Sequence, residues 1–461
     1  MILATLVSAT VIAAAPGPAV AAGATRRAGP AGSTLILESN RTVPLVRVII
    51  ASRSGSAADP RHREGLTNMA AEWARRGAGG RSREATDAAI DALGATLEVT
   101  TEPDSTRFEA EVLTRNLDPL LALLADVVVR PSFLPAEFAR TRNEIEGQID
   151  EERNDDRALA TRFFSHNLYA DHPYGHPADG THAALEASKP DEAMAHFRRH
   201  FGGKNLVFAV AGDVDPDTFP ATLARAFRGL DPAPPPPPNP LELRDPVAPK
   251  GWRIQLVDKP DRQQTQLLFG HPAVRATDPD HLPLLVALAA FGGHGMNATL
   301  MDEVRRKRGL AYGAYLGLRD RRGVGDVTGW VFSSADKTVA TLKLVLKLYV
   351  TFMEKGLDPA TVSFFTRFLA GSYAAEMDVP AHRLDARVTA EIVGLPVDHV
   401  DTFAARVREI RAAKVNAAIK RHVHARDLAI TMVGTAAALK PRLLESKVQP
   451  SAIDVVPYDG Y

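Results

Sequence analysis

A run of prolines divides this chain and restricts its fold more than any other feature. The segment 231–240 reads DPAPPPPPNP, with unbroken proline from Pro234 to Pro238. Proline has a fixed φ and no amide hydrogen, so such a run fits neither a helix interior nor a central strand. We therefore predict a linker over 231–245 that joins two domains of similar length, 34–230 and 246–446.

A similar segment closes each of these halves. Residues 200–212 read HFGGKNLVFAVAG and residues 422–434 read HVHARDLAITMVG, at a constant offset of 222. Each has a histidine, a cation four residues later, a strand-like apolar run and a final glycine. This match predicts that the second half is a duplicate of the first.

Short strands alternate with longer helices in the first half. Apolar and β-branched patterning predicts a strand over 43–51 and a strand pair over 96–100 and 106–113. Helical spacing predicts helices over 65–75, 84–93, 117–129 and 135–157. Strands without a strict β-α-β rhythm indicate an α+β fold, so we expect each half to be a mainly antiparallel sheet packed with helices.

The composition excludes several kinds of chemistry. The 461 residues include no cysteine, which rules out disulfides, thiolate zinc sites, iron–sulfur clusters and cysteine nucleophiles. Lys and Arg number 55 and so do Asp and Glu, so the net charge gives no reason to expect nucleic acid as a partner. After the N-terminal region no apolar stretch reaches the roughly 20 residues of a membrane span. Any metal must therefore be held by nitrogen and oxygen ligands.

The N-terminus resembles a secretion signal. Residues 2–15 are mostly apolar, and 16–21 read PGPAVA, which ends in a small-x-small cleavage pattern. No Lys or Arg precedes Arg26, so the usual basic start is missing, and an alanine-rich leader is the alternative. We predict a cleavable signal peptide over 1–22 and export, most simply to a bacterial periplasm.

Three segments of the first half carry a family resemblance. They read GLTNMAAEW over 65–73, NEIEGQI over 143–149 and HPYGHP over 172–177. Their order and spacing resemble the insulinase/pitrilysin family of zinc peptidases, the inverzincins, over nearly the whole mature chain. The resemblance implies the metallopeptidase/LuxS-like fold, with two homologous halves joined by the proline-rich linker into a clamshell.

The zinc-binding motif of that family is absent from this chain. By the resemblance, the family's H-x-x-E-H falls on Asn68, Ala71 and Glu72, and its distal glutamate ligand falls on Gln148. Zinc needs strong nitrogen or anionic oxygen donors, and the attacking water needs a base. Only Glu72 is anionic, so we predict no metal, no catalytic residue and no cofactor in this chain.

The second half retains a different family phrase. Residues 304–312 read VRRKRGLAY, which is similar to the family's L-R-x-x-x-G-L-A-Y. The resemblance implies that Arg305 and Tyr312 hold the substrate backbone and the tetrahedral intermediate opposite the zinc. A guanidinium orients carbonyl oxygens, and a phenol donates to an oxyanion. The alternative is a solvated basic run over 305–308 beside an ordinary strand tyrosine.

Together these features predict a non-catalytic, peptide-binding subunit of an exported heterodimeric zinc peptidase. The resemblance implies a catalytic H-x-x-E-H partner that binds the zinc, and a peptide or unfolded protein that adds to a sheet edge over 96–101, at Leu97, Val99 and Thr100. One alternative is a structural or assembly protein derived from the same fold. Another is a peptidase with unusual metal ligands. Whether the chain pairs with a relative or with itself stays open.

Overall fold

The computed structural model describes residues 23–239, 244–293, 295–446 and 448–460. The predicted signal peptide over 1–22 and residues 240–243 of the predicted linker lie outside the described residues. Within the described part, no helix combines the length and the apolar character needed to cross a bilayer.

The first half is built on a six-stranded mixed sheet. Its order is β1-β2-β6-β3-β5-β4, and only β2 and β6 run parallel. The strands are β1 (Thr25–Ala28), β2 (Thr34–Ser39), β3 (Leu45–Ser52), β4 (Thr96–Thr101), β5 (Thr106–Leu113) and β6 (Leu206–Gly212).

The second half repeats this sheet. Its order is β12-β7-β11-β8-β10-β9, in which β7 runs parallel to β11 and to β12. The strands are β7 (Trp252–Asp258), β8 (Gln264–Pro272), β9 (Gly313–Arg319), β10 (Asp326–Ser334), β11 (Leu428–Gly434) and β12 (Ala452–Pro457). The outer strands β1 and β12 extend the sheets beyond the predicted domain limits of 34 and 446.

Helices pack on both sheets. Those of the first half are α1 (Leu66–Arg75), α2 (Arg83–Ala92), α3 (Leu117–Val129), α4 (Pro135–Glu152), α5 (Asp156–Tyr169), α6 (His182–Ala187), α7 (Pro190–His200) and α8 (Phe219–Ala226). Those of the second half are α9 (His281–Gly292), α10 (Thr338–Lys355), α11 (Pro359–Glu376), α12 (Pro380–Val393), α13 (His399–Arg408), α14 (Ala412–His422) and α15 (Ala436–Glu445).

The prediction of one helix over 135–157 was wrong. The chain leaves the helix after Glu152, and the Asp155 carboxylate accepts hydrogen bonds from the amides of Arg157 and Ala158, which caps a new helix, α5. Charged residues continue from the end of α4 to the start of α5, because neither helix has to place an apolar side chain there. The sequence therefore shows no change of pattern where one helix ends and the next begins. An aspartate at this position is a typical N-cap, and that signal was overlooked.

The duplication is confirmed element by element. The helix–strand pair α7 and β6 is matched by α14 and β11 at the offset of 222, and β6 and β11 occupy the same third place in their sheets. The predicted α+β fold with two homologous halves is therefore confirmed.

Each half contributes one helix to the other half. Helix α5 of the first half packs Leu159, Phe163 and Phe164 against the second sheet, in one buried cluster with Leu268 and Val433. Helix α12 of the second half packs Leu384, Val388 and Ile392 against the first sheet. We use the term inner face for the side of each sheet that is covered by the exchanged helix. Because every one of these clusters is completed by a helix from the other half, the halves depend on each other for burial.

A buried polar group strengthens one of these contacts. The Tyr169 hydroxyl of α5 donates to Asp326 Oδ1 at 2.6 Å, and Arg319 Nε donates to Asp326 Oδ2 at 2.8 Å. Asp326 is fully buried, yet the nearby Arg319 guanidinium holds its pKa below the ordinary value despite the opposing effect of burial. A carboxylate on the second sheet therefore accepts hydrogen bonds from both halves.

Candidate functional site

Helix α1 carries three of the four predicted zinc positions, and its start is held tightly. Gly65 has φ +92°, and a Cβ added there would lie 2.6 Å from the Asp179 carbonyl oxygen. The Asp59 carboxylate accepts the amides of Gly65 and Thr67, each at 2.8 Å, and the Thr67 hydroxyl. Only glycine fits this turn, so the conformation of Gly65 determines where α1 begins.

The former ligand positions are close in the fold but differ in environment. Helices α1 and α4 pack against each other, Ala71 is fully buried, and Asn68 and Glu72 are half-buried. Gln148 of α4 is exposed. The spacing that places 68 and 72 on one helix face is kept, while the side chains there are an amide and a single carboxylate.

The guanidinium of Arg76 provides a positive charge beside the former zinc-site positions. Arg76 is 6% exposed, and its Nη2 lies 2.7 Å from Glu144 Oε2 of α4 and 3.9 Å from Glu72 Oε2. Arg75 also contacts this oxygen, with its Nε 3.7 Å from Glu72 Oε2. Glu72 therefore faces two guanidinium groups, which lowers its value as a metal ligand.

These residues do not fit a zinc ion. The donor set is one carboxylate that is already paired and two neutral amides, and Ala71 has no group to accept a proton from water. Within the described ranges, one trio of potential ligands comes within 4.8 Å, Asp278, Asp280 and His422. Both Asp280 oxygens already contact Arg421, and one of them also contacts His422, so this trio is an ion-pair cluster on the surface.

Arg305 and Tyr312, the predicted substrate-binding pair, are in direct contact. The Arg305 guanidinium lies 4.4 Å from the centre of the Tyr312 ring, and Tyr312 is 69% exposed. Arg305 belongs to a short π-helix, Met301–Arg306. Such wide turns often mark functional positions, because they push side chains outward from the regular helical path.

The basic run around Arg305 is not uniform. Arg306 and Lys307 pair with Asp302, Lys307 also pairs with Glu303, and Arg308 pairs with Glu303. In the part of the chain that the structure describes, no carboxylate lies within ion-pair distance of Arg305. The interpretation as an ordinary solvated basic run fits the three cations that follow Arg305, but not Arg305 itself.

The predicted peptide edge is an edge strand. Strand β4 pairs with β5 on one side and is the last strand of its sheet. Leu97 and Val99 pack against the core of the first half, while Thr96, Glu98 and Thr100 are exposed. Leu97 and Val99 thus share one face as predicted, and Thr100 lies on the other.

A cavity of about 890 Å³ lies elsewhere, between the first half, the linker and Arg322 of the second half. Its lining includes Asp59, His172, His200 and the linker prolines 235–238. None of the predicted ligand, Arg/Tyr or edge-strand residues lines it, so this cavity is separate from the candidate site.

Buried histidines predict that the chain is less stable in acid. Burial lowers the pKa of His196 to about 3 and the pKa values of His200 and His271 to about 4. Below pH 6.5 the unfolded chain binds protons that the folded chain refuses, so stability is lost as the pH falls from 6.5 towards 4. Asp59 acts in the opposite sense, because burial raises its pKa to about 6 and its protonation favours the folded state.

Three histidines outweigh one aspartate, so we expect the free energy of unfolding to fall by several kcal/mol between pH 7 and pH 5, at roughly 1.36 kcal/mol per pKa unit. Urea unfolding at both pH values measures this difference. His200→Gln should flatten the pH dependence, and an equal stability at pH 7 and pH 5 would contradict the prediction.

Sequence reasoning missed Arg76 and the contact between Arg305 and Tyr312. The signal for Arg76 was present, because it lies four residues after Glu72 and therefore one helical turn away. The contact between residues 305 and 312 depends on how the chain turns between the π-helix and β9, which no periodicity reports.

The fold and the site together define a class of protein: a metallopeptidase fold that has lost its metal ligands. Two family models match the chain, "Insulinase (Peptidase family M16)" over residues 34–182 and "Peptidase M16 inactive domain" over residues 189–363. The chain belongs to the insulinase family, peptidase family M16.

Relatives of both kinds are similar to this chain. A protein named non-peptidase homolog YmxG from Helicobacter pylori is 22% identical over 87% of this chain and 91% of its own length. A protein named uncharacterized zinc protease from Rickettsia felis is 26% identical over 71% of this chain and 77% of its own length. A non-catalytic M16 fold is consistent with the first of these names and with the substituted zinc positions.

Solved structures share the fold. A peptidase M16 inactive domain from Pseudomonas fluorescens aligns with a TM-score of 0.82 at 23% identity, over 89% of this chain and 98% of its own. A chain of Complex III2 from Candida albicans aligns with a TM-score of 0.73 at 15% identity, over 92% of this chain and 100% of its own. At these identities the likeness describes the fold alone.

Proposed function

We propose that this chain is the non-catalytic, peptide-binding subunit of an exported two-chain M16 peptidase. One observation carries the proposal: the zinc positions are replaced, while Arg305 stacks on an exposed Tyr312 and has no carboxylate of its own among the described residues. The stability of the fold does not require an exposed tyrosine next to a guanidinium that lacks a carboxylate partner among the described residues.

The chemistry of the pair suits substrate binding. The Arg305 guanidinium has several donors in a planar fork, and stacking on Tyr312 orients that plane without using any of its N–H groups. Among the described residues the Tyr312 hydroxyl has no hydrogen-bond partner, so it can donate to an oxyanion. In the assembled enzyme these groups hold a substrate carbonyl and its tetrahedral intermediate, while the partner supplies the metal, the water and the base.

The peptide is bound as an added strand. The outer side of β4 offers backbone amides and carbonyls that no neighbouring strand uses within the described residues. An extended peptide satisfies these groups whatever its sequence, which suits an unfolded protein substrate. The partner of this chain carries H-x-x-E-H and the zinc.

Export is part of the same proposal. It rests on the apolar, small-residue character of residues 1–22.

Reconstitution tests the proposed function. The chain would be co-expressed with an M16 protein of the same organism that carries H-x-x-E-H, and turnover of a fluorogenic peptide would be measured for each chain and for the mixture. We expect activity from the mixture alone, and its loss on chelation. Chelator-sensitive turnover by the pure chain would instead indicate unusual metal ligands, and a stable complex without activation would indicate a structural role.

A further inference from the structure

Four aromatic rings form a continuous strip beside Arg305. Stacking runs from Tyr315 to Trp330 at 5.6 Å and from Trp330 to Phe332 at 5.2 Å, and Phe332 lies 5.9 Å from Tyr312. We call Tyr312, Tyr315, Trp330 and Phe332 the aromatic strip. Tyr315, Trp330 and Phe332 are half-buried on the inner face of the second sheet, where Trp330 packs against the cluster that α5 forms with that sheet.

The fold itself does not require this strip. Strands β9 and β10 hold the same places in their sheet as β4 and β5 in the first half. The corresponding inner-face side chains of the first half are polar, among them Glu98, Glu109 and Glu111. The apolar core of the second half lies on the opposite face, with Ala314, Leu316 and Val331. One copy of the duplicated sheet is therefore charged at this place and the other is aromatic.

Two rings of the strip carry a cation, Trp330 within it and Tyr312 at one end. The Arg157 guanidinium lies 4.0 Å from the centre of the Trp330 ring, as the Arg305 guanidinium does at 4.4 Å from Tyr312. Neither arginine has a carboxylate within ion-pair distance among the residues that the structure describes. Stacking on a ring satisfies the flat face of a guanidinium and leaves its N–H edge available to an anion.

The neighbouring strand edge is open. Strand β9 pairs with β10 and is the last strand of its sheet. Its sequence GAYLGLR contains no proline or lysine, and its one charged residue, Arg319, is bound to Asp326. Sheet edges without such protection readily accept a further strand. Exposed Gly317 leaves a gap next to Tyr315, since no heavy atom lies within 4 Å of a Cβ added there.

From these observations we infer that the aromatic strip and the β9 edge bind an extended acidic peptide segment. Its backbone pairs with β9, one aromatic or large apolar side chain lies over the strip, and carboxylates on either side reach Arg157 and Arg305. Trp330 lies opposite Tyr315 and Phe332 lies opposite Gly313, so the strip covers β9 and β10 side by side and is about as long as the run from Tyr312 to Tyr315. A strand rising about 3.3 Å per residue covers that length in roughly four residues. This inference rests on the proposed function and adds a second binding edge, β9, at which the subunit holds an acidic segment of the substrate separate from the segment paired with β4.

Fluorescence anisotropy on the isolated chain tests the inference. The probe is a labelled peptide with one phenylalanine, and glutamate two residues before and after it. One comparison peptide replaces the glutamates by lysine and another replaces the phenylalanine by serine. We expect the first to bind, the lysine peptide not to bind, and the serine peptide to bind at least about 10-fold more weakly.

Variants locate the binding. Phe332→Ala and Arg157→Gln should each weaken binding by about 10-fold, and Gly317→Val, which fills the gap next to Tyr315, should weaken it as well. The matched control is Phe364→Ala with Phe368→Ala, a second exposed aromatic pair, on α11, with ring centres 6.3 Å apart. Circular dichroism confirms that each variant is folded.

Equal binding of the glutamate and lysine peptides would overturn the inference, and so would an equal loss in the α11 control. Peptide binding is measured on this chain alone, whereas the proposed function is measured with the partner present. Binding without activation therefore refutes only the proposed function, and activation without selective binding refutes only the inference.

Discussion

Replacing Arg305 with alanine is expected to lower the kcat/KM of the assembled peptidase by about 10²-fold or more. The guanidinium lies 4.4 Å from the centre of the Tyr312 ring, and it has no carboxylate partner in the described structure that would neutralise it. Loss of one preorganised donor to an oxyanion typically costs about 10² to 10³ in rate. Steady-state assays of the reconstituted complex measure the effect, and Tyr312→Phe should produce a loss of the same order.

The same basic run offers a matched control. Arg306→Ala removes an equal charge one residue away, but Arg306 is paired with Asp302 and exposed. We expect kcat/KM to change less than about 2-fold, as is usual for a surface cation in an ion pair. Arg305→Ala should leave stability within about 1 kcal/mol, the scale of an exposed cation–π contact. Equal activities of the two variants would remove Arg305 from the proposed role.

The largest loss of stability is expected from Asp326→Ala. Asp326 is fully buried and accepts hydrogen bonds from Arg319 and Tyr169. Its removal takes the counter-ion from the half-buried Arg319 guanidinium and the acceptor from the buried Tyr169 hydroxyl, so we expect a loss of about 3 kcal/mol, the lower end for breaking a buried ion pair. Denaturant unfolding followed by circular dichroism measures the loss.

Two controls separate this effect from simple loss of contacts. Tyr169→Phe removes one hydrogen bond and leaves the ion pair, so about 1 kcal/mol is expected. Asp245→Ala breaks an ion pair with Arg275 at 2.6 Å in which both side chains are well exposed, so less than about 1 kcal/mol is expected. If Asp326→Ala were no more destabilising than Asp245→Ala, the buried group would not hold the halves together as described.

The features that sequence reasoning found are those with a local or repeating signal. The loss of the zinc site follows from residue types at 68, 71, 72 and 148, and the structure adds only where those side chains lie. The duplication was visible because segments 200–212 and 422–434 match at a constant offset of 222, and the structure extends this offset to the helix before each of them. The edge at 96–101 was implied by the family resemblance, and β4 is indeed the last strand of its sheet.

What escaped sequence reasoning depends on distant parts of the chain meeting. Nothing in the pattern of residues 156–169 indicates that this helix packs on a sheet formed by residues 252–457, because its apolar face would suit either half. The aromatic strip combines Tyr312 and Tyr315 with Trp330 and Phe332 of the next strand, and only strand register brings them together. Trp330 and Phe332 alternate in sequence, so their shared face was predictable, but the partner strand was not.

The exchange of α5 and α12 gives the chain the organisation of a symmetric dimer whose two protomers have been fused. In an isologous pair each copy offers the same element to the same surface of the other, and here helix α5 meets the second sheet as helix α12 meets the first. The proline segment then serves only to connect the copies, and a protease that cuts it should leave two fragments that migrate as one particle. After such a fusion the two halves can diverge independently. This explains why the inner face is charged at β4 and β5 but aromatic at the equivalent strands β9 and β10.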